Sequence, residues 1–121
     1  MLNNTEKGNA GEEIAIAHLL KHGYQILAKN WRSSHLELDI VAFINNTLVI
    51  VEVKLRAGNT FGNPEEFVTP KKQKNIIKAA NAYIIENNIN VETRFDVISI
   101  IQNANELSVE HIEQAFYPTL K

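Results

Sequence analysis

Two charged side chains interrupt the most apolar stretch of this chain. In Leu48-Val-Ile-Val-Glu-Val-Lys-Leu55 the first four residues leave no polar face, which predicts a central strand buried on both sides. The strand period of two then places Glu52 and Lys54 on one face, with Val51, Val53 and Leu55 on the other. Burying a charge is costly unless it is paired or coordinates a metal. The plainer alternative is a strand end emerging into solvent, its Glu-Lys-Arg run on the wet side. The segment alone does not choose between them.

The preceding segment, Leu36 to Ile44, bears on that choice. Asn45-Asn46 suits a two-residue hairpin loop, because Asn tolerates the positive φ such turns require. A loop of that length opposes Phe43 to Leu48, Val41 to Ile50, Asp39 to Glu52 and Glu37 to Lys54. Directly opposed Cβ atoms lie roughly 4.5–5.5 Å apart, so Asp39 and Glu52 would repel each other. A divalent cation between them would remove the conflict, and hard oxygen ligands of this kind suit Mg²⁺ or Mn²⁺. A loop of odd length would misplace every pair.

Two helices add side chains to this group. On the first, Ala15, Ile16, Leu19 and Leu20 define an apolar stripe with Glu12 near its centre, while Glu13 falls at the edge. An acid within a buried stripe needs a partner, although a favourable dipole contact in the first turn is the alternative. On the second, Ile76, Ile77, Ala80, Tyr83 and Ile84 form the stripe and Gln73 lies at its N-terminal end. Lys71, Lys74 and Lys78 cluster on the opposite flank, and Lys72 stands alone on the near side, where it could reach a phosphate. A solvated face is the ordinary meaning of such a lysine cluster. Trp31 and Arg32 could stack on or contact a nucleic acid, although a half-buried tryptophan at a strand end is commoner. His18 and His22 have a spacing that can hold zinc, but no H-E-x-x-H pattern or third ligand accompanies them. No glycine-rich phosphate loop or serine triad is present.

The elements that must position these groups read as αβββαβ. Helices are predicted over about residues 8–22, ended by Gly23, and from Pro70 to about residue 87, with Thr69 as N-cap and Pro70 at N1. Strands are predicted near 24–31, 36–44, 47–55 and 94–101, with a short strand or helix near the C-terminus. Residues 56–70, rich in Gly, Asn and Pro, read as one long loop. This order implies an α/β fold, a mixed sheet with helices packed on it.

The bulk numbers agree with that reading. A chain of 121 residues, 45% hydrophobic and 21% charged, fits one domain spanning 1–121. It has no cysteine, which excludes disulfides and thiolate metal sites. No apolar run is long enough to span a membrane and the first residues lack a signal-peptide core, so a cytoplasmic location is expected. The net charge of −2 and pI near 6.1 count against a strongly basic nucleic-acid binder. The charge is unevenly spread, however: four lysines and no acid lie between Lys71 and Lys78, whereas Glu106, Glu110 and Glu113 mark the C-terminal end.

Five spaced motifs carry a family resemblance: Gly8-x-x-Gly11-Glu12-x-x-Ala15, Glu37-Leu-Asp39-Ile-Val-Ala42, Val51-Glu52-Val53-Lys54-x-Arg56, Thr69-Pro70-x-Lys72-Gln73 and Arg94-Phe95-Asp96-Val97. Over about residues 8–116 the chain resembles the YraN-like family of bacterial proteins, related to archaeal Holliday-junction resolvases in the PD-(D/E)XK nuclease superfamily. The resemblance implies a restriction-endonuclease-like αβββαβ core and a metal-dependent endonuclease acting on structured DNA. The alternative is a non-catalytic nucleic-acid-binding protein that keeps the fold, and a scaffold protein is a third reading. Carried over by position, Asp39 is the first acid, Glu52 and Lys54 the (D/E)XK pair, Glu12 the helix glutamate and Gln73 the polar residue of the later helix. Asp39, Glu52, the Val53 carbonyl and Glu12 would hold Mg²⁺ or Mn²⁺, which polarises the phosphate and lowers the pKa of a bound water. Lys54 would orient that water or stabilise the developing charge. Lys72, Arg56, Lys71, Lys74, Lys78 and Arg32 are the candidate phosphate contacts. Resolvases of the superfamily act as dimers, which makes a homodimer one candidate assembly, although no residue here marks an interface. One departure stands out: the family usually has Gly before the glutamate of the second motif, and Leu36 occupies that position.

Overall fold

The computed structural model describes residues 4–57 and 68–118. In chain order the elements are α1 (Asn4–Lys21), β1 (Gln25–Ser33), β2 (Leu36–Ile44), β3 (Thr47–Ala57), α2 (Pro70–Glu86), β4 (Glu92–Gln102) and β5 (Leu107–Phe116). The expected turn residues Gly58, Asn59, Gly62, Asn63 and Pro64 lie outside the described residues.

The β2–β3 hairpin forms with the expected register. Asn45 and Asn46 both adopt left-handed backbone, φ 48° and 58°, and this twist matches that of the flanking strands. Phe43 therefore opposes Leu48, and Val41 opposes Ile50. The helix caps also follow from chemistry. The Thr69 hydroxyl accepts from Lys72 N–H at 3.2 Å, and Pro70 occupies the first turn, where its missing N–H costs nothing.

The strands form one five-stranded sheet in the order β1-β2-β3-β4-β5. All neighbours are antiparallel except β3 and β4, which run parallel and are connected through α2. Two helices on a mixed sheet are consistent with a restriction-endonuclease-like α/β fold. The C-terminal segment is longer than expected: β5 pairs with β4 over ten residues and forms an edge. Its exposed run from Leu107 to Glu110 hides that strand from a reading of hydrophobic pattern alone.

The central strand is buried on both faces. On one side Leu48, Ile50, Phe95 and Val97 pack against Ile76, Ala79, Ala80 and Tyr83 of α2. On the other, Val49, Val51, Ile98 and Ile100 pack against Ala15 and Leu19 of α1. Each such aliphatic side chain contributes about 1.5–3 kcal/mol by leaving water.

The α1 stripe sits differently from its sequence pattern. Gly11, Ala15 and Leu19 are buried, whereas Leu20, expected in the stripe, is 56% exposed. The contact is the narrow i, i+4 row of a helix lying on a sheet. Glu12 and His18 therefore fall on opposite shoulders of that row, each about 60° from Ala15 at 100° per residue. They are also separated by roughly 9 Å along the axis. Among the described residues no helix is long and apolar enough to cross a membrane.

Candidate active site

The β2–β3 ladder ends at Ile40 and Val51. Just beyond, Leu38 joins the α2-side core and Ile40 the α1-side core. Residues two apart should share a face, so the regular pleat fails at Asp39. The expected pairing of Glu37 with Lys54 is consequently not formed; Glu37 instead lies opposite Arg32 of β1 and pairs with it at 3.1 Å on the surface. The pleat break turns the Asp39 carboxylate across the gap between strands, where its Oδ2 accepts from Val53 N–H at 2.9 Å.

Glu52, only 5% exposed, lies within hydrogen-bonding reach of the same Asp39 carboxyl. Burial, then the Glu52 charge, push Asp39 from its ordinary 3.8 to about 8, against the pull of the Val53 N–H and with a small further push from Glu12. At neutral pH this carboxyl therefore favours its protonated form. The expected ladder pair of Asp39 with Glu52 is not formed, but the two carboxyls still meet beyond the end of the ladder.

Two lysines answer Glu52. Lys72 Nζ of α2 lies 2.7 Å from its Oε2, and Lys54 Nζ lies 3.7 Å from the same atom. Burial, then the neighbouring Lys72 charge, hold the Lys54 ammonium below its ordinary value. Burial also pulls on Lys72, but its bond to Glu52 prevails and keeps it above the ordinary value. Helical phase explains why Lys72 arrives here: it lies one turn before Ile76 on the face of α2 turned to the sheet. Ser99, beside Lys54 in the β3–β4 register, is fully buried, and its hydroxyl has no partner among the described residues.

Glu12 reaches the group from the α1 shoulder. With Gly11, Asp39, Glu52, Val53, Leu55 and Lys72 it lines a hollow of about 180 Å³ beside the middle of β3. Gln73 does not line this hollow, because its side-chain amide donates to the Val68 carbonyl at 2.8 Å and so ties down the entry to α2. Arg56 follows Lys54 by two residues on the same face of β3.

A second hollow of about 240 Å³ adjoins α2, lined by residues that include Leu36, Glu37, Lys71 and Lys72. Leu36, the departure from the family pattern, packs against the α2-side core here. Lys71, Lys74 and Lys78 are exposed on the far flank of α2. Arg32 points into solvent with its ion pair to Glu37, and Trp31 is half-buried edge-on against Tyr83 at 5.3 Å. Neither lines the first hollow.

The donor set suits a hard divalent cation. Mg²⁺ is commonly held by one or two carboxylates with water completing the octahedron, and Asp39, Glu52 and the Val53 carbonyl supply such a set with Glu12 nearby. The fit test is the donor set itself: two buried acids side by side, where burial first and then mutual repulsion disfavour two negative charges and a cation between them would favour both. No group of three or more His, Cys, Asp or Glu stands ready-made for a metal among the described residues. Lys72 occupies the cationic role beside Glu52.

A separate polar cluster lies on the other shoulder of α1. Asp96, fully buried on β4, accepts from Arg94 through both oxygens at 2.8–2.9 Å, from His111 at 2.7 Å and from Gln114 N–H at 3.0 Å. Burial raises this carboxyl, but the bonds from His111, Arg94 and Gln114 prevail and hold it below its ordinary value. Arg94 also donates to the Tyr24 hydroxyl at 2.6 Å and pairs with Glu113 at 3.2 Å. The Arg94 and Asp96 motif thus fastens β5 to β4. Its partners come from β5 and from Tyr24, just before β1, so strand pairing was needed to find them.

The family model described as Uncharacterised protein family UPF0102 matches residues 11–100. A UPF0102 protein of Bacteroides thetaiotaomicron is 48% identical over 120 residues, covering 99% of both chains. One from Flavobacterium psychrophilum is 43% identical over 117 residues, covering 97% of this chain and 98% of its own. Another from Christiangramia forsetii is 44% identical over 117 residues with the same coverage. With a family model matching most of its length and relatives this similar from end to end, the chain belongs to the UPF0102, or YraN-like, family.

Proposed function

We propose that this protein is a metal-dependent endonuclease of PD-(D/E)XK type that hydrolyses phosphodiester bonds in structured DNA. The observation that carries the reading is the pair of buried acids, Asp39 of β2 and Glu52 in the middle of β3, held together with Lys54 and Lys72 beside them. A structural ion pair needs one acid and one base. A second acid in the same buried place, kept protonated without an ion, is the group whose charged form a divalent cation would favour.

Asp39, Glu52 and the Val53 carbonyl would hold Mg²⁺ or Mn²⁺, with Glu12 contributing directly or through water. When bound, the ion supplies charge to polarise a phosphate oxygen and to acidify a water. Lys54, held below its ordinary pKa beside Lys72, places a compact positive charge where a pentacovalent phosphate would develop its negative charge. Lys72, now paired with Glu52 at 2.7 Å, would be available to a phosphate were Glu52 to hold a cation instead. The exposed Lys71, Lys74 and Lys78, with Arg56, supply backbone contacts that position the strand without reading its sequence.

A second reading is a nucleic-acid-binding protein that keeps this site without hydrolysis. The 2.7 Å bond of Lys72 to Glu52 favours it, since that carboxylate is already neutralised. A panel of single-stranded, duplex, flap and four-way-junction DNA incubated with Mg²⁺ or Mn²⁺ separates the two. Cleavage abolished by Asp39→Asn and by Glu52→Gln supports the nuclease. Binding without cleavage, and no response of stability to either metal, leaves the second.

A further inference from the structure

The histidines of α1 and β5 form a group that the carboxylate site does not use. His111 Nε2 lies 2.7 Å from Asp96. A carboxylate held below its ordinary pKa can only accept, so His111 donates there and its Nδ1 keeps the lone pair when the ring is neutral. That Nδ1 faces His18 Nε2 at 3.2 Å. One turn further along α1, His22 Nδ1 lies 2.8 Å from the His18 carbonyl. A carbonyl also only accepts, so His22 donates and its Nε2 keeps the lone pair. The His22 ring lies 4.3 Å from that of His18, centroid to centroid. His18, His22, His111 and Glu113 all line one hollow of about 390 Å³.

Metal-ligating histidines characteristically donate their other ring nitrogen to a carboxylate or backbone carbonyl, which fixes the tautomer. His111 has the first arrangement and His22 the second. The spacing of the His18 and His111 nitrogens also fits: two imidazoles at about 2.0–2.1 Å from a tetrahedral ion are separated by about 3.3 Å. We propose that His18 Nε2 and His111 Nδ1 form the bite of a second metal site, selective for Zn²⁺-like ions and distinct from the carboxylate site. Its remaining positions are filled by water from the same hollow, since no third His, Cys, Asp or Glu is gathered with this pair among the described residues. Imidazole donors select borderline ions such as Zn²⁺ and Co²⁺ over Mg²⁺. His18 is held below its ordinary pKa by burial and by the nearby His22, His111 and Lys21 charges, which favours the neutral, ligating form. Bound there, the ion ties α1 to the edge strand β5. The alternative is a plain hydrogen bond between His18 and His111, with no ion.

The test is a titration of the tag-free chain in metal-free buffer near pH 7.5 with Co²⁺ and then Zn²⁺. It is followed by the visible Co²⁺ absorption bands and by the melting temperature. The expected result is one Co²⁺ ion with the strong bands of low coordination, displaced by Zn²⁺, and a rise in melting temperature with Zn²⁺ at concentrations where Mg²⁺ has no such effect. His18→Ala and His111→Gln should each weaken binding at least tenfold, whereas Asp39→Asn should leave it unchanged. His111→Gln also loses a bond to Asp96, so His18→Ala, which touches none of the Asp96 bonds, decides if His111→Gln unfolds. No bands and no Zn²⁺-dependent rise in melting temperature would overturn the proposal, as would binding that survives His18→Ala. Loss of Co²⁺ binding in Asp39→Asn would instead assign the ion to the carboxylate site and equally overturn it.

Discussion

Asp39→Asn changes one oxygen to an amide nitrogen, and its effect on stability depends on pH in a way the geometry specifies. The Asn oxygen can still accept from Val53 N–H, so the local bond survives. What disappears is a titrating charge. In the folded chain the Asp39 carboxyl holds its proton up to about pH 8, whereas its ordinary value is 3.8. Between these values the native state binds a proton that the unfolded state lacks, so stability falls as pH rises. This contribution is complete below about pH 3.8 and is lost by about pH 8. At about 1.4 kcal/mol per pH unit, the ceiling on the loss is about 6 kcal/mol. Lys72 and Lys54 offset part of the repulsion, which leaves about 1–3 kcal/mol at pH 9. For a domain of this size each kcal/mol moves the melting temperature by about 4 °C.

Thermal unfolding in EDTA from pH 5 to pH 9 therefore should show the two proteins close together at pH 5. The variant should be the more stable by several degrees at pH 9. Added Mg²⁺ at 100 times its dissociation constant should stabilise wild type by about 2.7 kcal/mol and the variant far less. A variant less stable than wild type at pH 9, or a difference that does not change with pH, would refute the argument. It would mean that Asp39 is an ionised structural partner of the lysines.

Other expectations concern neighbouring residues. Lys72→Met removes the 2.7 Å partner of buried Glu52 and should cost about 1–2 kcal/mol without metal, measured by urea unfolding; added Mg²⁺ should recover part of the loss. Gly11→Ala should stabilise by up to about 1 kcal/mol through helix propensity, because the new Cβ would lie 3.5 Å from Leu55, an ordinary contact; a lower melting temperature would show that the α1–β3 approach cannot accept it. Replacing Lys71, Lys74 and Lys78 by Ala should weaken DNA binding across sequences and flatten the salt slope of log K by up to roughly 0.9 per lost duplex contact. An unchanged slope would return these lysines to a solvated face.

The sequence by itself determined the hairpin and much of what it carries. Two adjacent asparagines set a two-residue loop, and that loop sets the register as far as Ile40 and Val51, which leaves Asp39 and Glu52 as the next residues of the two strands. Each step is local, so no distant contact was needed. The same holds for Thr69 and Pro70 at the start of α2 and for the wholly apolar core of β3.

Tertiary structure decided what depends on orientation and distant pairing. Periodicity placed Leu20 in the α1 stripe, but the angle at which a helix meets a sheet selects its buried row, and that row is Gly11, Ala15 and Leu19. The same choice puts Glu12 and His18 on opposite shoulders. Helical phase put both Lys72 and Gln73 on the inner side of α2, but only packing brought Lys72 to Glu52 and turned Gln73 toward the Val68 carbonyl. His111 could not be joined to His18 from sequence, because 93 residues separate them. Only the antiparallel pairing of β5 with β4, and the packing of α1 over that pair, bring His111 beside Asp96 and across from α1.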